Sequence, residues 1–471
     1  IHHEIDFLPL KSYANITAGN ALRMDWEDVV PKAKLNYIMG NPPFIGYSLQ
    51  SKEQKEDIRA IYVDEKGKPY KTAGKIDYVS GWYFKAAQMM EKNTIHTAFV
   101  STNSITQGEQ VAGVWKPLYE RFNVHIDFAH RTFIWNSEAN DKAHVHCVIV
   151  GYSTAASTKP KKLFSDDSFH IVENINAYLT DAPDIFIESR KKPLCNALVM
   201  TTGNRPADGG HLIIEANDYD DFIAREPQAK KYIKQLTGAT EFINNKERWC
   251  LWLVDANISE LRKMPLVLER IEACKQDRLN SPDKGRQKLA DTPMIFRETI
   301  NPSSYIIVPR VSSERRRYIP LGFLDDTIIP TDSATIIENA SNYEFGILTS
   351  NIHMAWMRAV AGRLKSDYRY SKDIVYNNFP WPHPTEAQKA KIEETAQGIL
   401  DARAQHAHAS LADLYDDTFM PSDLRKAHQE NDKAVAAAYG LNKNSPEFKS
   451  ESACVAMLMR MYQALTEKET K

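Results

Sequence analysis

Residues 35–44 read Leu-Asn-Tyr-Ile-Met-Gly-Asn-Pro-Pro-Phe, and no other stretch limits the fold as strongly. Residues 35–39 are apolar apart from Asn36, which suits a strand covered on both faces. Pro42 and Pro43 have no N–H to give a sheet, so the backbone must leave at Asn41. The expectation is a carboxamide held at the carboxyl end of a buried strand, where open α/β sheets bind ligands. Asn41 offers one acceptor and two donors and no charge. An exocyclic amine can give one hydrogen to the Asn41 oxygen and one to the Pro42 carbonyl. That pair draws the nitrogen toward tetrahedral geometry and frees its lone pair. Phe44 can stack on the ring bearing the amine, a contact worth ~1–3 kcal/mol per base. The plainer reading is a proline-rich turn after a core strand, since Asn-Pro marks turns generally.

The tetrapeptide Asn41-Pro42-Pro43-Phe44 resembles the catalytic motif of amino-methylating DNA methyltransferases, the N6-adenine type in particular. The match extends to Gly19-Asn20-Ala21-Leu22 and to Phe44-Ile45-Gly46-Tyr47-Ser48-Leu49-Gln50-Ser51. It continues through Phe99-Val100-Ser101-Thr102-Asn103-Ser104-Ile105-Thr106-Gln107-Gly108-Glu109-Gln110 and Ala129-His130-Arg131-Thr132-Phe133. Together these strings resemble the MmeI-like family of fused restriction–modification enzymes. The resemblance implies S-adenosylmethionine as methyl donor and double-stranded DNA as partner. It implies catalytic roles for Asn41, Pro42, Pro43 and Phe44. It sets Asn20 and Ala21 beside the adenine ring of the donor. Adenine N6 is the implied acceptor, with cytosine N4 left open because the same carboxamide geometry would serve it.

The implied fold is α/β. It comprises a partial class I, Rossmann-like methyltransferase sheet, an α+β target-recognition domain and a C-terminal helical domain. The sheet is partial because its first strand, with the glycine-rich loop for the methionine end of the donor, has no counterpart. Neither Phe-x-Gly-x-Gly nor GxGxxG occurs, and Gly40 and Gly46 only flank the Asn41 loop. The donor site is therefore expected to be incomplete, and the strand before Asn41 to carry an exposed edge. The chain opens on Ile1-His2-His3-Glu4, which reads as N-terminal truncation. The earlier part of the same polypeptide would supply the donor loop and, in a fused enzyme that cuts DNA, the nuclease. Pro183-Asp184 with Glu188-Ser189-Arg190 is a poor imitation of a nuclease cluster. The alternative function is a non-catalytic DNA-specificity module with a remnant methyltransferase sheet.

A chain of 471 residues fits about three domains. The divisions expected are 1–155 for the methyltransferase part, 156–381 for target recognition and 382–471 for the helical end. The small, polar run 154–160 reads as the linker. A net charge of −2 argues against a wholly basic nucleic-acid protein but not against local basic patches. Cys147, Cys195, Cys250, Cys274 and Cys454 make no CxxC pair, which fits a reducing cytoplasm with unpaired thiols and no zinc site; the family resemblance implies a prokaryotic cytoplasm and no metal. No stretch reaches the ~20 apolar residues of a membrane helix.

Along the chain, short strands are expected at 13–18, 96–101, 124–128 and 144–150. The polar, Lys/Glu-rich composition of 48–62 suggests a solvated helix, and apolar residues at helical spacing predict a core-packing helix over 77–91. His144 and His146 share one strand face and Cys147 the other, without a further ligand to complete a metal set. Between the later strands, Phe133 and Trp135 are either a hydrophobic hairpin tip or, with Phe44, the walls of a pocket for an extruded base. Further strands are expected at 248–254, 305–308, 318–322 and 334–337, with a helix at 261–275. Two basic clusters follow: Arg310, Arg315, Arg316 and Arg317, then Arg358, Arg363, Lys365, Arg369 and Lys372 with Tyr368 and Tyr370 interleaved. Guanidinium forks suit guanine edges and phosphates, and basic residues among tyrosines suit a nucleic-acid backbone. Arg310, Arg315, Arg316, Arg317, Arg363, Lys365, Arg369, Tyr370 and Lys372 are the expected DNA contacts. The bland alternative is a solvated charged face. Tyr376-Asn377-Asn378-Phe379-Pro380-Trp381-Pro382 resembles the close of the family's recognition domain.

Overall fold

The computed structural model describes residues 16–136, 144–155 and 159–469. It divides into two compact units, Ile1–Thr106 with Gln110–Phe186, and Gln107–Glu109 with Ile187–Lys471.

The first unit is built on a mixed six-stranded sheet. Strand β1 (Tyr37–Gly40) ends at the Asn41 loop. Helix α1 (Lys52–Ile61) starts at a capping box, Ser51 with Gln54, and helix α2 (Ser80–Met90) follows. Strand β2 (His96–Thr102) then lies parallel to β1, pairing Tyr37 with His96 and Gly40 with Phe99. Helix α3 (Gly108–Phe122) leads to β3 (His125–Asn136), β4 (His144–Ser153), β5 (Lys161–Ser165) and β6 (Ser168–Val172). The spatial order is β1-β2-β4-β3-β5-β6, with β4 antiparallel to both its neighbours. The carboxyl ends of β1, β2 and β3 therefore share one edge of the sheet.

Helix α2 buries most of its length, and an aromatic stack forms the core beneath it. Tyr83 lies 5.4 Å from Tyr152 and nearly parallel to it, with Trp115 and Phe99 edge-on to Tyr83. The Tyr83 hydroxyl reaches Ser101 Oγ (2.8 Å), and the Tyr152 hydroxyl donates to the Tyr83 carbonyl (2.9 Å). Both buried phenols are thus satisfied, as buried polar groups must be. Tyr37, Met39, Phe128 and Phe164 line a separate, mainly apolar cavity of about 580 Å³.

Four expectations need correction here. Strand β1 is not covered on both faces: Tyr37 is 70 % and Met39 82 % exposed. The exposed edge expected for this strand is present: β1 pairs with β2 alone among the described residues. The segment around Phe133 and Trp135 is not a hairpin tip; it lies within β3, where the register slips between His130 and Phe133. The run 154–160 does not end the first unit, because β5 beyond it pairs with β3 and the unit continues to Phe186. Residues 13–15 of the expected first strand lie outside the described residues, and 16–18 are irregular.

The second unit holds three small sheets. One is ordered Ile328–Pro330, Ile233–Thr237, Arg248–Leu251, Ile213–Glu215, and the second Gly322–Asp325, Ser304–Pro309, Ala334–Glu338, Met200–Thr202. The third is ordered Val311–Ser312, Asp367–Arg369, Gly362–Leu364. Residues 318–321, expected as a strand, are buried but unpaired in any sheet; the strand begins at Gly322. The helix expected at 261–275 runs Pro265–Leu279, started by the proline at its first position. Its Arg278 has no exposed surface and donates to five backbone carbonyls, at 206, 207, 289, 292 and 295. The closing motif acts as a strap: Asn377 Nδ2 donates to the Arg190 carbonyl (2.7 Å) and Asn378 Nδ2 to that of Glu188 (3.0 Å). Helices Glu386–Ala404, Ser422–Ala438 and Glu451–Glu469 complete the chain. No helix among the described residues is long and apolar enough to cross a membrane.

Candidate active site and nucleic-acid interface

The Asn41 loop leaves the sheet where the sequence requires. Pro42 is buried and Pro43 exposed; Asn41 is exposed and Phe44 half-buried. A buried proline fixes φ and anchors the turn, leaving the carboxamide outside. The loop is then tied to the segment before α2. The Tyr78 N–H donates to the Ile45 carbonyl (2.9 Å), and Gln50 Nε2 donates to the Ile76 carbonyl (2.9 Å). Asp77, 7 % exposed, accepts from the Tyr47 N–H (2.9 Å) and from Ser104 Oγ (2.5 Å). Sequence reading missed Asp77 because it opens a run that looks like an ordinary core helix.

Asn20 lies in a tight turn. Its Oδ1 accepts from the Leu22 N–H (2.9 Å), and its Nδ2 donates to Asp57 Oδ2 (3.0 Å). Asp57 also accepts from Arg23 Nε (2.6 Å) and the Tyr78 hydroxyl (3.0 Å). Burial pushes the Asp57 carboxyl up, but hydrogen bonds from Arg23, Asn20 and Tyr78 hold it below its ordinary value. The Asn20 side chain thus shapes the turn, and Ala21 is half-buried beside it. Asp57 lies in the helix expected to be solvated, yet is 5 % exposed. Only the long-range partners Asn20 and Tyr78 reveal its role, and local spacing does not carry them.

Phe133 is half-buried, with its ring edge-on to His130 at 5.0 Å; Trp135 is 45 % exposed. Both sit near the carboxyl end of β3, at the same sheet edge as Asn41. Strands β2 and β4 intervene, so β1 and β3 lie about 14 Å apart at ~4.8 Å per strand. The structure brings these aromatics to the shared edge but not into contact with the Asn41 loop. No cluster of three or more potential metal-binding side chains occurs among the described residues.

The two basic clusters, some fifty residues apart in sequence, meet in the third small sheet of the second unit. Val311 pairs with Arg369, and Gly362 pairs with Arg369 on its other side. Lys365 turns the hairpin with φ +58 and is exposed, as are Leu364 and Arg369. The Arg363 guanidinium stacks on Tyr368 at 3.8 Å and donates to the Ser366 carbonyl (2.8 Å). Arg310 donates to the Asp332 carbonyl (2.8 Å), and Lys372 pairs with Asp373 (2.6 Å). Arg315, Arg316 and Arg317 line a polar cavity of about 460 Å³ with Asp417, Glu447 and Glu451. Arg316 is half-buried, and burial lowers its pKa. Arg358 belongs to the scaffold: it is bound to Glu451 (2.8 Å) and to the Arg317 carbonyl (3.1 Å). Tyr370 must be withdrawn as a surface contact. It is 2 % exposed and its hydroxyl meets His353 Nε2 at 2.9 Å. Strand alternation turns Tyr370 inward beside the outward Arg369.

Three family descriptions match successive stretches of the chain. Residues 2–165 match the family description "MmeI, DNA-methyltransferase domain", 181–383 "MmeI, target recognition domain", and 384–469 "MmeI, C-terminal domain". The curated relative DNA methyltransferase A of Bacillus subtilis (strain 168) is 40 % identical over 464 residues. That match covers 98 % of this chain and 52 % of the relative, so the chain spans about half its length. The solved type IIL restriction–modification enzyme MmeI in complex with DNA superposes with a TM-score of 0.88 at 43 % identity. It covers 98 % of this chain and 61 % of that one.

Proposed function

The chain belongs to the MmeI-like family, and from that premise we propose that it carries the methylating and site-reading part of an S-adenosylmethionine-dependent DNA adenine-N6 methyltransferase, part of a restriction–modification enzyme of the prokaryotic cytoplasm. The observation that carries the reading is the Asn41 loop. An exposed carboxamide stands at the carboxyl end of a parallel strand, fixed by a buried Pro42 and a tied-down 45–50 segment. The target adenine must leave the helix, which costs a few kcal/mol, because its amine is otherwise paired. The Asn41 oxygen and the Pro42 carbonyl then accept the two amine hydrogens, and Phe44 stacks on the ring. Phe133 and Trp135, on the same sheet edge, are proposed as the far wall of the base pocket.

The donor supplies an electrophilic methyl group. The Asn20-Ala21 turn, fixed by Asp57, suits its adenine end. The methionine end is assigned to a segment of the same polypeptide outside these 471 residues, consistent with a relative of which this chain spans 52 %. In double-stranded DNA, Arg363, Lys365 and Arg369 on the small sheet are proposed to hold the phosphates and read bases. Arg310, Arg315, Arg316, Arg317 and Lys372 are proposed to flank them.

The test is Asn41→Ala in the full-length polypeptide, followed by methyl incorporation into target DNA. Single-turnover methylation should fall at least ~100-fold, the scale of a lost transition-state hydrogen-bonding group, with DNA affinity unchanged. Retained methylation would refute the assignment.

A further inference from the structure

We propose that Asp77 is the positioning residue of the amine-orienting loop, locking it to the end of β2; the inference rests on the function proposed above. Asp77 lies just before helix α2 and spends both carboxylate oxygens away from it. Helix α2 has no side-chain cap, so capping does not explain this buried acid. One oxygen accepts from the Tyr47 N–H, three residues beyond Phe44 (2.9 Å), and the other from Ser104 Oγ (2.5 Å). Ser104 Oγ in turn lies 2.9 Å from Thr102 Oγ1, at the last residue of β2. The Asp77 N–H is itself fixed by Gln110 Oε1 (3.0 Å).

A single buried carboxylate thus joins the backbone of the Asn41 loop to the neighbouring strand by charge-assisted bonds. The join matters because Asn41 is exposed, and the loop's placement depends on what ties it down beyond the strand. Misplacing a reacting group by about 1 Å is enough to lose ~10²-fold in rate. Asp77 touches neither base nor donor in this scheme; it acts through Tyr47 and Ile45 on the carboxamide.

The experiment compares Asp77→Ala, Asp77→Asn, Ser104→Ala and Asn41→Ala in the full-length polypeptide. It reads the single-turnover methylation rate, DNA affinity, 2-aminopurine fluorescence at the target base and the unfolding midpoint. Asparagine keeps one acceptor for Tyr47 and can reverse the bond to Ser104 by donating to it, so it should rescue what alanine loses. Asp77→Ala should slow methylation ~10–100-fold, with DNA affinity unchanged and less base-extrusion signal. Asp77→Asn should stay close to wild type, and Ser104→Ala should be slowed to a lesser degree. A wild-type rate in Asp77→Ala beside a dead Asn41→Ala overturns the inference alone, as do equal losses in Asp77→Ala and Asp77→Asn. If Asp77→Ala fails to fold, Ser104→Ala decides: slowed supports the lock, unchanged overturns it. An active Asn41→Ala removes the function on which the inference rests.

Discussion

Replacing Arg278 by lysine isolates geometry from charge in the recognition region. The guanidinium has no exposed surface, and its five N–H groups are all spent on carbonyls. Nε donates to Ala207 (2.9 Å), Nη1 to Leu289 and Thr292 (2.8 Å each), and Nη2 to Pro206 (3.2 Å) and Ile295 (2.8 Å). Lysine brings the same charge but three donors, so at least two of the five bonds are lost, although the Leu289 and Thr292 carbonyls still accept from the Thr292 and Ile295 N–H groups. At ~1.5–3 kcal/mol for each lost bond to a charged donor, the substitution should destabilise this region by about 3–6 kcal/mol. Two compact units make global unfolding a poor two-state measure, so peptide-resolved hydrogen exchange is the direct assay. Protection should fall across 289–297 and 205–212, whose turns the arginine stitches to helix Pro265–Leu279, while the first unit keeps its protection. Unchanged exchange across 289–297 would refute the reasoning.

Two more outcomes concern buried acid–base groups of the second unit, and a third its basic surface. Burial pushes the His353 pKa from 6.5 down to about 3, so the folded chain holds it neutral where the unfolded chain binds a proton. Its contribution is present above pH 6.5 and lost as pH falls, by up to ~1.4 kcal/mol per pH unit; hydrogen-exchange protection of helix Asn351–Val360 across pH should show His353→Gln, which keeps a partner for Tyr370, to be less acid-sensitive by that slope. Asp432, pushed by burial from 3.8 up to about 6, acts in the opposite sense, so Asp432→Asn should steepen acid loss between those values, and an unchanged profile would refute it. Lys365→Ala and Arg369→Ala should each weaken DNA binding and reduce the slope of log K against log salt by about 0.9 for each phosphate no longer neutralised; an unchanged slope makes them solvated surface.

The places where sequence and structure part share one physical cause. The Asn41 loop was legible because prolines act locally: they forbid the ladder wherever they stand. Helices α1 and α2 were legible because composition and periodicity are local too. What spacing could not show is who stands on the other side. Residues 35–39 look like any buried strand, yet Met39 is largely exposed. Asp57 looks solvated in its Lys/Glu-rich helix, yet it receives Asn20 from 37 positions away. Tyr370 and Arg369 look equivalent in a basic, aromatic run, and only the pairing of Arg369 with Val311 and Gly362 decides which one points out.

The edge position of β1 changes how the Asn41 loop has to be understood. A central strand would fix the loop by ladders on both sides. Here the ladder to β2 covers one side, and Tyr37 and Met39 remain largely exposed. Strand edges with exposed apolar side chains are sites where another segment adds on. The loop is nevertheless fixed from its other end, by Pro42 packing inward and by bonds from 76–78 to Ile45, Tyr47 and Gln50. The placement of the proposed amine-orienting loop is therefore set by residues of this chain.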